Sequence, residues 1–127
     1  MTIFLVEDSE SVRQQITDLL LRIQNAQIVG EAATAFDAIA GVERLQPDVV
    51  VLDLGLRSGA GQDVLRKMQH MGRKTAIVVF SNSVDPVTVS RCLQLGAIAV
   101  LDKSNQIDQL YDLICSLENS RPQGAPI

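Results

Sequence analysis

The chain has 127 residues, the size of one domain, and folding would bury roughly two-thirds of the surface its unfolded form exposes. Its residues are 46% hydrophobic and only 3% aromatic, which calls for an aliphatic core of the kind found in helix-covered parallel sheets. A net charge of −4 with no basic run argues against direct nucleic-acid binding, and apolar runs of about five residues against the ~20 of a membrane span exclude a transmembrane helix.

Residues 1–8 have no basic n-region and meet Glu7-Asp8 too early for a signal peptide. Cys92 and Cys115 lie in helical patterns without CxxC or histidine spacing, and read as reduced thiols of a cytoplasmic protein. The single histidine, His70, sits among Lys67, Arg73 and Lys74 and reads as a solvated surface residue. A Ser-His-Asp triad and a histidine metal site are both out of reach.

In chain order, Ile3 to Val6 reads as a short buried strand ending at Glu7-Asp8. Ser9 or Ser11 caps the next helix, whose apolar stripe is Val12, Ile16, Leu19, Leu20 and Ile23. Gln27 to Ala33 returns as a strand. Ala35 to Leu45 is helical, with Phe36, Ile39, Ala40 and Val42 as core candidates, and Pro47 stops it. Asp48-Val49-Val50-Val51-Leu52-Asp53 follows, an aliphatic run between two carboxylates. A strand apolar on both faces belongs in the middle of a covered parallel sheet. The glycine-containing loop from Leu54 to Gly61 has neither GxGxxG nor a Walker lysine, which argues against a nucleotide site.

Gln62 to Met71 makes a third helix with Val64, Leu65 and Met68 inward. Ala76 to Phe80 is the fourth strand and ends at Ser81. Asp85-Pro86 reads as an N-cap with proline at the first helical position, and Gly96 ends that helix. Ile98 to Leu101 is the fifth strand, followed by Asp102 and Lys103. Ser104 or Asn105 caps a last helix with Ile107, Leu110, Leu113, Ile114 and Leu117 as its stripe. Residues 1–119 are expected to form the domain and 120–127 a flexible tail.

Five β/α units in strict alternation predict an α/β fold: a doubly wound, five-stranded parallel sheet in flavodoxin-like order 2-1-3-4-5, with helices on both faces. Glu7, Asp8 and Asp53 then meet at the switch point between the first and third strands. Taken singly, an acid after a strand is a loop residue or a cap, Ser81 a turn residue and Lys103 a solvated charge. Together at one sheet edge they make a site. Three clustered carboxylates repel one another unless a cation sits among them, and oxygen ligands suit Mg²⁺ or Mn²⁺. A carboxylate so placed can attack phosphorus and form an aspartyl phosphate, with Lys103 and Ser81 on the phosphoryl oxygens.

These residues carry a family resemblance. From Ile3 to about Leu117 the chain resembles the receiver domain of bacterial two-component response regulators. The matching motifs are Glu7-Asp8 after the first strand, Asp53 in Val50-Val51-Leu52-Asp53-Leu54, Ser81, and Leu95-Gly96-Ala97 ahead of Lys103. The resemblance implies that Asp53 accepts phosphate from a histidine kinase or phosphotransfer protein. It implies Mg²⁺ held by the side chains of Asp8 and Asp53, by Glu7 through water and by the Gly55 carbonyl. Ser81 would move toward the phosphoryl group while Lys103 pairs with it. The face made by the fourth helix, fifth strand and fifth helix would then bind a downstream protein or support a weak homodimer.

Three positions depart from the family pattern. Val100 stands where receivers often carry a switch aromatic, Arg57 where a proline is common, and Ser104 where many have a proline after the lysine. Arg57 offers either a cation near the site or, the favoured reading, a solvated surface charge. The favoured expectation is a stand-alone receiver that signals rather than an enzyme. The alternatives are a receiver piece of a longer DNA-binding regulator and a degenerate receiver that binds without phosphorylation. A Mg²⁺-dependent aspartate phosphatase is disfavoured, because Asp53-Leu54-Gly55 is no DxD pair. Lys103→Ala is expected to impair signalling more than stability, since a strand-edge ammonium packs little.

Overall fold

The computed structural model describes residues 1–56, 61–71, 75–82 and 84–120. The elements are β1 (Thr2–Val6), α1 (Glu10–Leu20), β2 (Gln27–Ala32), α2 (Ala35–Leu45), β3 (Val49–Leu52), α3 (Gly61–His70), β4 (Ala76–Ser81), α4 (Pro86–Gln94), β5 (Ala99–Asp102) and α5 (Ile107–Ser120). All strand pairs are parallel, in the order β2-β1-β3-β4-β5. The expected α/β architecture is therefore the observed one.

Alternation along each central strand divides the core. Phe4, Val6, Val50, Leu52, Ile77 and Val79 meet α2, α3 and α4 on one face of the sheet. Ile3, Leu5, Val49, Val51, Val78 and Phe80 meet α1 and α5 on the other. β3 is buried along its whole length, as a strand covered on both faces must be.

Local chemistry sets the helix ends. Ser9 caps α1 by accepting from the Val12 N–H, Thr34 caps α2 by accepting from Asp37, and Asp85 caps α4 by accepting from Thr88 with Pro86 beside it. Gly96 follows α4 at φ 103°, a left-handed conformation that glycine adopts without strain. α2 ends on Gln46 in the left-handed region, just ahead of Pro47.

Two of the core contacts expected in α2 face solvent. Phe36 is 81% exposed and Ala40 is also exposed, while Ala35, Ala38, Gly41 and Val42 point inward. The cause lies across the interface. A Cβ on Gly41 would stand 2.5 Å from Cζ of Phe4, so the β1 aromatic ring fills the space and α2 must approach through small residues. Ile39 is partly buried against the same core.

The last helix also differs. α5 begins at Ile107, and Ser104 caps no helix. Its N–H and hydroxyl instead both bond to Oδ1 of Asp102, at 2.9 and 2.6 Å. The Gln106 side chain accepts from the Asp102 N–H at 2.6 Å. These bonds order the loop carrying Lys103, and the Ser104 hydroxyl and N–H hold the Asp102 carboxyl below the ordinary carboxylate range. β5 and α3 are each displaced by about one residue from the sequence reading, within the usual scatter of element ends.

Cys92 is buried, and burial raises its thiol pKa, consistent with an inert core residue. His70 is exposed at the end of α3. Arg57, Arg73, Lys74 and the expected tail from residue 121 onward lie outside the described residues. Among the described residues, no helix is long and apolar enough to cross a membrane.

Candidate acidic site at the carboxyl edge of the sheet

Register delivers the site. Val6 is aligned with Leu52, and Ser81 with Asp102. The residue after each strand continues the hydrogen-bond ladder by one step. Asp53 N–H donates to Val6 O at 2.9 Å, Glu7 N–H to Ala32 O at 2.9 Å, and Lys103 N–H to Ser81 O at 3.0 Å. Glu7, Asp53 and Lys103 are thus fixed by backbone at the same edge. The chain leaves β1 for α1 on one face and β3 for α3 on the other, opening the crevice where open α/β sheets place ligands.

The side chains converge there. Lys103 Nζ donates to Glu7 Oε1 at 2.6 Å and to Asp53 Oδ2 at 3.0 Å. Glu7 Oε2 accepts from the Ser9 N–H at 3.0 Å, and Asp53 Oδ1 from the Gly55 N–H at 3.1 Å. Glu7 and Asp53 are only 3% and 5% exposed. Glu7, Asp8 and Asp53 each present an oxygen within 4.8 Å of the others. Among the described residues, three carboxylates against one ammonium leave an excess of negative charge in a sheltered crevice. This donor set of hard oxygens fits a divalent cation of the Mg²⁺ or Mn²⁺ type.

Burial pushes the Glu7 carboxyl above its ordinary range, and the nearby Asp53 charge adds to this. The bonds from Lys103 and the Ser9 N–H oppose that shift without cancelling it. For Lys103, burial works against the charged form, but the bonds to Glu7 and Asp53 prevail and hold the ammonium above its ordinary range. An ion pair alone would lower Glu7 while raising Lys103. Desolvation explains why Glu7 goes the other way.

Glu7, Asp8, Asp53 and Lys103 are therefore brought together as the sequence suggested. Ser81 is 1% exposed at the end of β4, one strand from Asp53, with its carbonyl held by Lys103. Gly55 touches the site through its N–H. Gly61 supports it from below: a Cβ there would collide with the Asp53 carbonyl and stand 2.5 Å from Leu54 Cα. Val100 packs against the core on the α2–α4 face.

Arg13 escaped the sequence reading. Its Nη1 donates to the Glu7 carbonyl at 2.7 Å and its Nε to Glu31 Oε2 at 3.0 Å. Nothing in the sequence separates it from an ordinary helix-surface arginine, because Glu31 reaches it from a different element.

Comparison with known proteins agrees with this geometry. The model of the response regulator receiver domain matches residues 3–115. The chain is similar to the transcriptional regulatory protein DesR of Bacillus subtilis, 25% identical over 126 residues that cover 99% of this chain and 62% of that protein. It is also similar to the response regulator GacA of Pseudomonas aeruginosa, 27% identical over 88% of this chain and 52% of that protein. A protein-glutamate methylesterase/protein-glutamine glutaminase of Koribacter versatilis is 30% identical over 82% of this chain, but only 29% of its own length is covered. The chain thus spans less than two-thirds of these relatives. Among solved structures, a LuxR-family two-component response regulator from Aurantimonas superposes with a TM-score of 0.86 at 26% identity, covering 98% of this chain and 89% of that one. With the fold, the register and the acidic crevice in agreement, the chain belongs to the response regulator receiver domain family.

Proposed function

We propose that Asp53 accepts a phosphoryl group from a histidine kinase or phosphotransfer protein, with Glu7, Asp8 and Asp53 holding a Mg²⁺ or Mn²⁺ ion. Phosphorylation-dependent signalling in two-component systems is the general function of receiver domains, and receivers bind a divalent metal in such an acidic pocket. The observation that carries the proposal is the shared ammonium: Lys103 bridges Glu7 and Asp53 beside a cluster of three acids.

A carboxylate oxygen of Asp53 attacks phosphorus and forms a P–O bond. The bond from phosphorus to the donor's histidine nitrogen breaks, and its electron pair leaves with the donor. Lys103 takes one phosphoryl oxygen and the Ser81 hydroxyl another. The cation, when bound, offsets charge on the transferring group. Asp8 and Asp53 serve it through side chains and Gly55 through its carbonyl. Both oxygens of Glu7 already accept hydrogen bonds, which favours a role through water.

The α4–β5–α5 face is the proposed output surface for a downstream protein or a weak homodimer, and the exposed Val87 and Leu93 on α4 and Ile98 just ahead of β5 offer apolar contacts in this part of the chain. The setting is cytoplasmic. A second reading, a receiver working inside a longer DNA-binding regulator, is favoured by the greater length of DesR and GacA.

Incubation with acetyl phosphate and Mg²⁺, followed by intact-mass spectrometry, tests the reaction class. A receiver gains one phosphoryl group per chain, and gains none when the metal is chelated before acetyl phosphate is added. Continuous turnover of phosphomonoesters would instead make the chain a hydrolase.

A further inference from the structure

We infer that Arg13 is a positioning residue for the acidic pair Glu7-Asp8, tying the turn between β1 and α1 to the edge strand β2. The inference rests on the metal-binding reading above. Two different guanidinium nitrogens make the two contacts, one to the Glu7 carbonyl at 2.7 Å and one to Glu31 Oε2 at 3.0 Å. The Glu7 carbonyl belongs to the peptide that leads into Asp8. Rotating that peptide swings the Asp8 carboxylate out of its cluster. The Glu7 N–H is already fixed to Ala32 O on β2 at 2.9 Å. Arg13 fixes the other side of the residue, and does so from α1, where its own N–H is bonded to Ser9 O at 2.9 Å. Turn, helix and edge strand are thereby locked to one another around the Asp8 backbone.

The planar fork of arginine suits this bridge, whereas a lysine ammonium offers a single point charge. The pair with Glu31 is solvent-accessible on the Glu31 side and contributes little to stability by itself. Its worth is geometric. Supporting residues of this kind alter metal affinity by about 10- to 100-fold when removed.

Charge and position predict opposite signs, which makes the inference testable. Arg13 is a cation beside an acidic crevice, so its charge alone opposes metal binding, and its removal by that effect alone tightens binding. Removal of a positioning residue loosens it. The experiment is Mn²⁺ binding followed by electron paramagnetic resonance, on wild type, Arg13→Met and Arg13→Lys, each checked for a cooperative thermal melt.

Arg13→Met is expected to weaken Mn²⁺ binding about tenfold. Arg13→Lys, with its charge kept but one ammonium for two acceptors, falls between. Affinity equal to or tighter than wild type in Arg13→Met overturns the inference. If that variant lacks a cooperative melt, Arg13→Lys decides alone, and wild-type affinity there overturns it. A wild type that binds Mn²⁺ without accepting phosphate sinks the phosphoacceptor reading and leaves the role of Arg13 standing. A wild type that binds no Mn²⁺ overturns both.

Discussion

Lys103 lies closer to Glu7 than to Asp53: its ammonium is 2.6 Å from Glu7 Oε1 and 3.0 Å from Asp53 Oδ2. Glu7 is therefore an anchor for the ammonium that the proposed reaction does not consume. When the Asp53 carboxylate becomes an acyl phosphate, Lys103 keeps one fixed partner and stays at the site. The same pairing adds a stability effect that the strand-edge view of Lys103 leaves out. Lys103→Met leaves two buried carboxylates facing each other without a cation, a loss of about 3–5 kcal/mol. Thermal melts with and without Mg²⁺ check this. The variant should melt below wild type in chelator and recover part of the difference with metal. An unchanged melting temperature in chelator would count against the pairing.

The pH dependence has a defined sign. The folded chain holds the Lys103 proton more tightly than the ordinary value of 10.5. Its contribution to stability is fully present below 10.5 and is lost as pH rises through the folded value. Melting temperature should thus fall more steeply for wild type than for Lys103→Met across that alkaline range. Parallel curves would show that the ammonium carries no such linkage.

Gly61 and Gly41 separate site geometry from general packing. A methyl at Gly61 runs into the Asp53 and Leu54 backbone, so Gly61→Ala must displace the chain at the end of β3. A methyl at Gly41 instead meets the Phe4 ring, on a residue that pairs with Val50 rather than with the end of β3. Both substitutions should cost about 1–3 kcal/mol by overpacking, measured by urea denaturation. Gly61→Ala alone should slow phosphoryl acceptance. Equal acceptance rates in the two variants would detach the Gly61 contact from function.

Phe36→Ala should change stability by no more than about 0.5 kcal/mol, because the ring is in solvent. Val42→Ala, on the buried side of the same helix, should lose about 1–3 kcal/mol. A larger loss at Phe36 than at Val42 would mean that α2 is rotated the other way.

α2 also marks where sequence stops being enough. Its length and its C-terminal stop were readable from the apolar spacing and Pro47, whereas the Thr34 cap emerges only in the structure. Its rotation was not readable, because Phe36-Ile39-Ala40 and Ala35-Ala38-Val42 are both acceptable helical stripes. The choice is made by Phe4 on another element. β1, β3, β4 and β5 were legible as short apolar runs; Glu7 and Asp53 were legible because each is the first residue past one, and Lys103 because it follows the fifth run after Asp102. The Arg13–Glu31 bridge joins side chains 18 residues apart and exists only once α1 and β2 are placed. The loop after β5 shows the same limit at short range: Ser104 and Gln106 turn back to Asp102, where a helix cap was expected.

The most direct test is to locate the phosphoryl group. Wild type and Asp53→Asn are exposed to acetyl phosphate with Mg²⁺, the acyl phosphate is reduced with borohydride, and peptides are mapped by mass spectrometry. Asp53 should be recovered as homoserine in wild type only, with the Asp53→Asn chain folded and unlabelled. Modification at another carboxylate, or retained labelling of Asp53→Asn, would contradict Asp53 as the phosphoacceptor.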